Sequence, residues 1–460
     1  MLELDVNRWS QQQFGPCQLG DARRVKRAVK FAAQVAADPS GSTPEQTEKW
    51  ADCKAAYRLL DNDGVTFEAL AGPHWQLTRA RFRGHVLLID DTSDIGFGLD
   101  RQIAGMGMIN SERHPGFLLH SALALDAATG EVLGLAGQTI RHRRRCAKHE
   151  TSRDRLKRVD RESRLWTEVI EQVGPPSAEA QYTHVCDRGA DNFEVFCQLL
   201  QEGCEWVIRA AQLDRLLGTP HAGRQRLDSY LASLPLAGTY TLEVRGTTKH
   251  PPRTAQIEVR FGSVVMPRPQ DVSQRVKESG IREIPMQVVQ VREVQAPVGV
   301  EPLTWVLYTS HPLHDFEQAR QVIGMYEQRW IIEEYHKALK TGCRLEQRLY
   351  ATAARLEAVT GILAVVAVRL LQLKTVARTT PDRPAAEIVP ARWITMLTSV
   401  HRGPPRTITT VYEFYRALAK LGGFLGRKRD GEPGWMTLWR GFEKLHLLVR
   451  GAEAYVNKCG

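Results

Sequence analysis

Tyr326, Arg329, Glu333 and Lys340 set a phenol, a guanidinium, a carboxylate and an ammonium within one short stretch. No Pro or Gly interrupts residues 326–340, and Gly342 stands where a helix would end, so one helix is predicted there. At about 100° per residue the four side chains fall within roughly 60° of one another. Ile332, Tyr335 and Leu339 gather on the far side as a stripe for a core. A carboxylate between two cations and an aromatic ring suits a metal ligand beside a phosphodiester. The same spacing also serves a surface helix with ordinary i,i+4 charge pairs.

Further acids stand upstream. Val86 to Ile89 reads as a strand buried on both faces, with Asp90 and Asp91 at its carboxyl end. Tyr182 to Cys186 repeats the pattern, with Asp187 just past the end and Asp191 a little further on. Ligand sites in open α/β sheets lie at such strand ends, although aspartates there also serve as turn formers and caps. Three convergent carboxylates can hold two Mg²⁺ ions roughly 3.5–4 Å apart, one activating water or a 3′-hydroxyl and the other stabilising the leaving oxygen. Hard oxygen ligands select Mg²⁺, or Mn²⁺ in its place, over zinc.

The elements that must position these groups alternate. Residues 117–125 and 131–141 are predicted as strands joined by a hairpin, and Glu205 to Ala210 as another strand with Arg209 near its end. Alternating runs at 239–246, 256–265, 286–294 and 304–308, separated by Pro/Gly-rich turns, read as an antiparallel β insertion. Before the first acid, residues 19–30 open a helix with Asp21 as N-cap, and residues 47–60 form a second helix. Arg23, Arg27 and Lys30 share a face of the first helix, opposite an apolar stripe, which suits contact with phosphates or plain solvation.

The 460 residues are enough for two or three domains, and the net charge of +10 favours a polyanionic partner. Residues 141–164 alone hold eleven Lys/Arg against four Asp/Glu, beginning with the run Arg141 to Arg145. The start carries neither a basic nor an apolar leader region, and the longest apolar run, residues 361–373, is short and contains Arg369. No membrane span is expected. Eight scattered cysteines without a C-x2-C pair argue against a zinc site or disulfide framework and fit a reducing cytoplasm.

The pattern Y-x2-R-x3-E-x6-K, intact at 326, 329, 333 and 340, resembles the Y-R-E-K motif of bacterial insertion-sequence DDE transposases. These are cut-and-paste enzymes with an RNase H-like core. The resemblance extends to the acid-Asp-Thr-Ser run at 90–93, to Asp-Arg-x-Ala-Asp at 187–191, and more loosely to residues 19–24 and 56–60. It implies Asp91, Asp187 and Glu333 as catalytic metal ligands, in preference to Asp90 and Asp191. It also implies that Trp305 lines a pocket for a flipped base, with Tyr326, Arg329 and Lys340 clamping the adjacent phosphates. Arg209, Arg23, Arg27 and Lys30 join these as DNA-contacting candidates.

The expected fold is α/β: an RNase H-like mixed sheet flanked by helices, carrying an antiparallel β insertion, with N- and C-terminal helical domains. The expected division is 1–70 for DNA binding, 71–375 for catalysis with the insertion at about 211–315, and 376–460 as a helical domain used for dimerisation. Pro381, Pro384 and Pro390 mark the linker before that tail. The expected activity is Mg²⁺-dependent cleavage and strand transfer on double-stranded DNA, both transposon ends and target, by a homodimer bridging paired ends. A nuclease on the same fold that cuts without joining, and a catalytically silent repressor of repeat DNA, remain as alternatives.

Overall fold

The apolar run at residue 86 grows into a strand much longer than predicted. The computed structural model describes residues 6–459 apart from 48, 111–112, 144–148, 221–222, 245–251, 388, 401–406 and 428–429. Arg144 and Arg145 of the basic run therefore lie outside the described residues. In the structure β1 spans Gly84–Gly96, and β2 (Gly116–Asp126) and β3 (Val132–Arg141) continue it as an antiparallel meander. β4 (Ala180–Cys186) and β5 (Glu205–Arg209) add in parallel on the other side of β1.

The strands of the insertion do not form a separate layer. They are β6 (Leu216–Thr219), β7 (Gly223–Arg226), β8 (Gly238–Val244), β9 (Arg253–Pro267), β10 (Glu283–Val294) and β11 (Thr304–Thr309). β11 pairs antiparallel with β5, so they extend the central sheet in the order β3-β2-β1-β4-β5-β11-β10-β9-β6-β7, with β8 on β9. The mixed sheet with flanking helices agrees with the RNase H-like expectation.

Before the sheet come α1 (Val6–Phe14), α2 (Ala22–Ala37), α3 (Thr43–Gln46), α4 (Trp50–Leu60) and α5 (Phe67–Arg79). Asp21 caps α2 by accepting from the Arg23 amide, as its position predicts. The helix expected over 47–60 is present as α4 but starts at Trp50, and a separate short helix, α3, opened by a capping box of Ser42 and Glu45, precedes it. Between the strands lie α6 (Ser152–Lys157), α7 (Arg164–Val173), α8 (Phe193–Glu202), α9 (Leu227–Ser233) and α10 (Gln274–Glu278).

After β11 the chain forms α11 (Phe316–Glu327), α12 (Trp330–Lys337) and α13 (Ala353–Thr379). The tail adds α14 (Ala391–Val400), α15 (Val411–Leu421) and α16 (Trp435–Cys459). α13 is long and apolar enough to cross a membrane by composition, but 88% of its apolar window is buried inside the protein. It crosses α5 closely: a Cβ on Gly361 would stand 2.8 Å from the Phe67 carbonyl oxygen. The proline-marked segment after it is packed rather than loose, with Ala385 and Val389 buried.

Two apolar clusters cover the two faces of the sheet. Leu87 and Ile89 of β1 face α11 to α13 and the N-terminal helices, whereas Val86 and Leu88 face α7 and α8. This alternation places consecutive β1 side chains in different environments, and the acids inherit it.

Candidate active site

Asp90 and Asp91 do not end β1. The strand continues through Thr92, Ser93 and Asp94 because β2 goes on pairing with it, Asp91 opposite Ser121 and Gly96 opposite Gly116. What ends there is the parallel ladder to β4, whose last pair is Asp90 with Cys186. Asp91 is the next residue on β1 and Asp187 the first past β4, so they stand side by side where the sheet forks. Asp187 also caps the short turn Arg188–Ala190, its Oδ1 accepting from the Gly189 amide at 2.8 Å.

The two competing aspartates are used structurally. Asp90 points to the α7–α8 face and pairs with His184 Nδ1 at 2.8 Å, both residues fully buried. Asp191 accepts from the Ala211 amide at 2.7 Å and from the Arg215 guanidinium, fixing the start of the insertion. Neither is free to hold a ligand.

Glu333 comes from α12 on the other face. The uninterrupted helix expected over 326–340 is broken: α11 ends at Glu327, α12 begins at Trp330, and residues Ala338–Gly342 form a π turn. Tight bonds from the Arg329 amide to the Tyr326 carbonyl and from Ile332 to Arg329 make the break. The apolar stripe survives, with Ile332, Tyr335 and Leu339 all fully buried. So does the i,i+4 pair, with Arg329 Nη2 at 2.7 Å from Glu333 Oε1.

Lys340 leaves the predicted face: Nζ donates to the Asp94 carbonyl of β1 at 2.5 Å and lies 3.6 Å from Glu346. Arg329 lies 6.0 Å from the Tyr326 ring centre. Tyr326 meets Trp305 edge-to-face at 5.6 Å. Burial raises the Tyr326 phenol, with Arg329 and then Arg209 acting against the rise. Arg209 itself donates to the Thr304 carbonyl at 3.2 Å.

The charges of Asp187 and Glu333 both act on Asp91. Burial pushes the Asp91 carboxyl up to about 7; the nearby Asp187 charge adds to this, Arg329 opposes it, and Glu333 raises it further. Among the described residues no three His, Cys, Asp or Glu side chains are already gathered tightly enough to hold a metal ion. Arg329 holds Glu333 at 2.7 Å, and a divalent cation between the acids would offset the repulsion of their charges. The donor set, carboxylate oxygens alone, fits Mg²⁺ or Mn²⁺.

The structure thus brings together Asp91, Asp187, Glu333, Arg329, Tyr326, Trp305 and Arg209. Arg23, Arg27 and Lys30 lie away from this group on α2. Arg27 and Lys30 both bind Asp52 of α4 at 2.8 Å, and Arg23 pairs with its own cap Asp21 at 2.9 Å. Sequence reasoning missed His336, whose Nδ1 is 3.8 Å from Asp91 Oδ2. Burial, with Lys340 nearby, holds that ring down at about 3, so it is neutral and its contact with Asp91 is no ion pair. Its i+3 spacing from Glu333 was the available signal. Glu346 was also missed, because it reaches Lys340 only through the fold around the π turn.

Family models match the chain in three successive segments: Transposase DNA-binding over residues 6–65, Transposase DDE domain over 85–369, and Transposase Tn5 dimerisation domain over 365–458. The central match spans more than half of the chain and contains every acid at the forked edge of the sheet. The chain belongs to the DDE transposases, enzymes that bind and rearrange DNA.

Proposed function

We propose that this transposase, a member of the Y-R-E-K group, recognises terminal inverted repeats, cuts both strands and joins the freed 3′ ends to target DNA. Asp91, Asp187 and Glu333 are its catalytic metal ligands. When bound, two Mg²⁺ ions, or Mn²⁺, supply Lewis-acid stabilisation of the attacking and leaving oxygens. The observation that carries the reading is the meeting of Asp91 on β1, Asp187 just past β4 and Glu333 on α12, where burial first, and then the neighbouring acids, lift Asp91 far above an ordinary carboxyl.

The chain's own residues do the positioning. Arg329 holds the Glu333 carboxylate and, with Tyr326 and Lys340, grips phosphates next to the cut. Trp305, braced edge-on by Tyr326, takes an unstacked base, and Arg209 borders the same pocket. Removing that base from the stack frees the strand for a hairpin at the transposon end. Arg23, Arg27 and Lys30 meet the repeat in the 1–70 domain, the last two exchanging Asp52 for phosphate. The 71–375 domain cuts and joins, and the 376–460 domain pairs two copies across two ends. Among the described residues six cysteines are buried and free of disulfides, which suits work in a reducing cytoplasm.

The test is a reaction with DNA carrying the element's flanking repeats, a target plasmid, and Mg²⁺ or Mn²⁺. The expected products are nicked ends followed by joined molecules. Metal-dependent nicking without any joined product would overturn the strand-transfer part of the proposal.

A further inference from the structure

We infer that a basic cleft on the α7–α8 face of the sheet seats the target duplex during joining, a step that rests on the strand-transfer reading above. The cleft encloses about 590 Å³. Arg153, Lys157, Arg158 and Arg161, from the segment between β3 and α7, line one wall, and Arg275 and Lys277 of α10 line the other. The acids on its walls are Glu194 and Asp271. Each is already held, Glu194 by Arg161 and Asp271 by Arg153 at 2.9 Å.

Ion pairs to Asp160 and Glu171 also fix the directions of Arg158 and Arg275. Lys157 and Lys277 remain exposed on either side. The walls therefore combine arginines held in place with exposed lysines, an arrangement that suits a phosphate backbone rather than base edges.

Position selects which duplex this is. Glu194 lies in the first turn of α8, the helix that follows Asp187, and Arg164 at the start of α7 also borders the cleft. The cleft thus borders the start of α8, the helix that follows Asp187. The segment matched as Transposase DNA-binding packs on the opposite face, where Phe14, Phe31 and Leu60 share a cluster with Leu87 and Ile89. DNA in the cleft approaches from the side away from that region, which leaves the cleft open to a second duplex. A target of arbitrary sequence must be held by its backbone, and long cations without a recognition helix suit that need.

The test uses full-length protein with Arg153→Ala, Lys157→Ala and Lys277→Ala combined. These side chains are exposed and their ion pairs weak, so the thermal midpoint is expected to stay in place. Cleavage of end DNA should be unchanged, whereas joining of pre-cut ends into a plasmid should fall about tenfold, with the log–log salt slope flatter by about 2–3. Unchanged joining would overturn the assignment. Equal loss of cleavage and joining would too, by placing end or flanking DNA in the cleft. Where even the wild type fails to join, the strand-transfer reading falls, and binding of a plain duplex of unrelated sequence reads the cleft alone. A variant that binds it about tenfold more weakly upholds the cleft as a backbone-binding surface. Equal binding overturns it.

Discussion

Asp91 is the residue on which charge and position meet. Its carboxyl, raised to about 7 by burial and by Asp187, destabilises the metal-free protein when ionised. Asp91→Asn should therefore abolish cleavage yet raise the metal-free unfolding free energy at pH 8, by on the order of 1 kcal/mol. Mg²⁺ should stabilise the wild type and fail to stabilise the variant. A variant less stable without metal, or equally stabilised by Mg²⁺, would contradict the assignment. Histidines give the opposite pH trend. His74, His120 and His336 are each held down at about 3 by burial. Unfolded histidine titrates near ~6.5. Between these values the unfolded chain binds protons that the folded one refuses, so stability is lost as pH falls from about 6.5 toward 3. Asp91 opposes this trend, so the test is the difference between proteins: the change in urea midpoint from pH 7.5 to pH 5 should be less unfavourable in His74→Gln than in the wild type. An identical change in the two would mean that the His74 ring is solvated. The positions of Asp91 and Asp187, the two aspartates proposed as metal ligands, were legible because each follows a short apolar run. The pairings of Asp90 with His184 and of Arg27 and Lys30 with Asp52 were not, since they depend on which elements pack together.

At the scale of elements, two departures from the sequence reading shape the site. β1 runs on past its acids because β2 supplies a partner for a polar stretch that, alone, reads as a strand end. The 326–342 segment breaks at Arg329 and loosens into a π turn although no Pro or Gly stands before Gly342. Helix periodicity still found the Arg329–Glu333 pair and the buried stripe, because both lie close enough in sequence to survive the break. It misplaced Lys340, whose direction is set after the extra residue of the π turn. Lys340 now leans on the Asp94 carbonyl and Glu346, within reach of the Asp91 strand. Lys340→Ala should leave the thermal midpoint nearly unchanged and weaken end binding or hairpin formation by ~tenfold, the value of one charge-assisted hydrogen bond. Unchanged activity on a paired-end substrate would remove Lys340 from the site.

For the whole molecule, the broad plan was legible: helices, then a mixed sheet with acids at its fork, then helices. The way these parts join was not. The insertion extends the central sheet through β11 and β5, and one apolar cluster runs from Trp9 through β1 to Val449. Long-range burial of this kind leaves no periodic trace in local sequence. The arrangement sets the N-terminal helices and Glu333 on one face and the basic cleft on the other, with the acids between them. The most direct test of the central claim is cleavage of end DNA by wild type and Glu333→Gln, with DNA binding measured on the same samples. The account predicts Mg²⁺-dependent nicking by the wild type, and a variant that binds the DNA equally well but does not nick it. Nicking that persists in Glu333→Gln would show that the chemistry is carried by other residues.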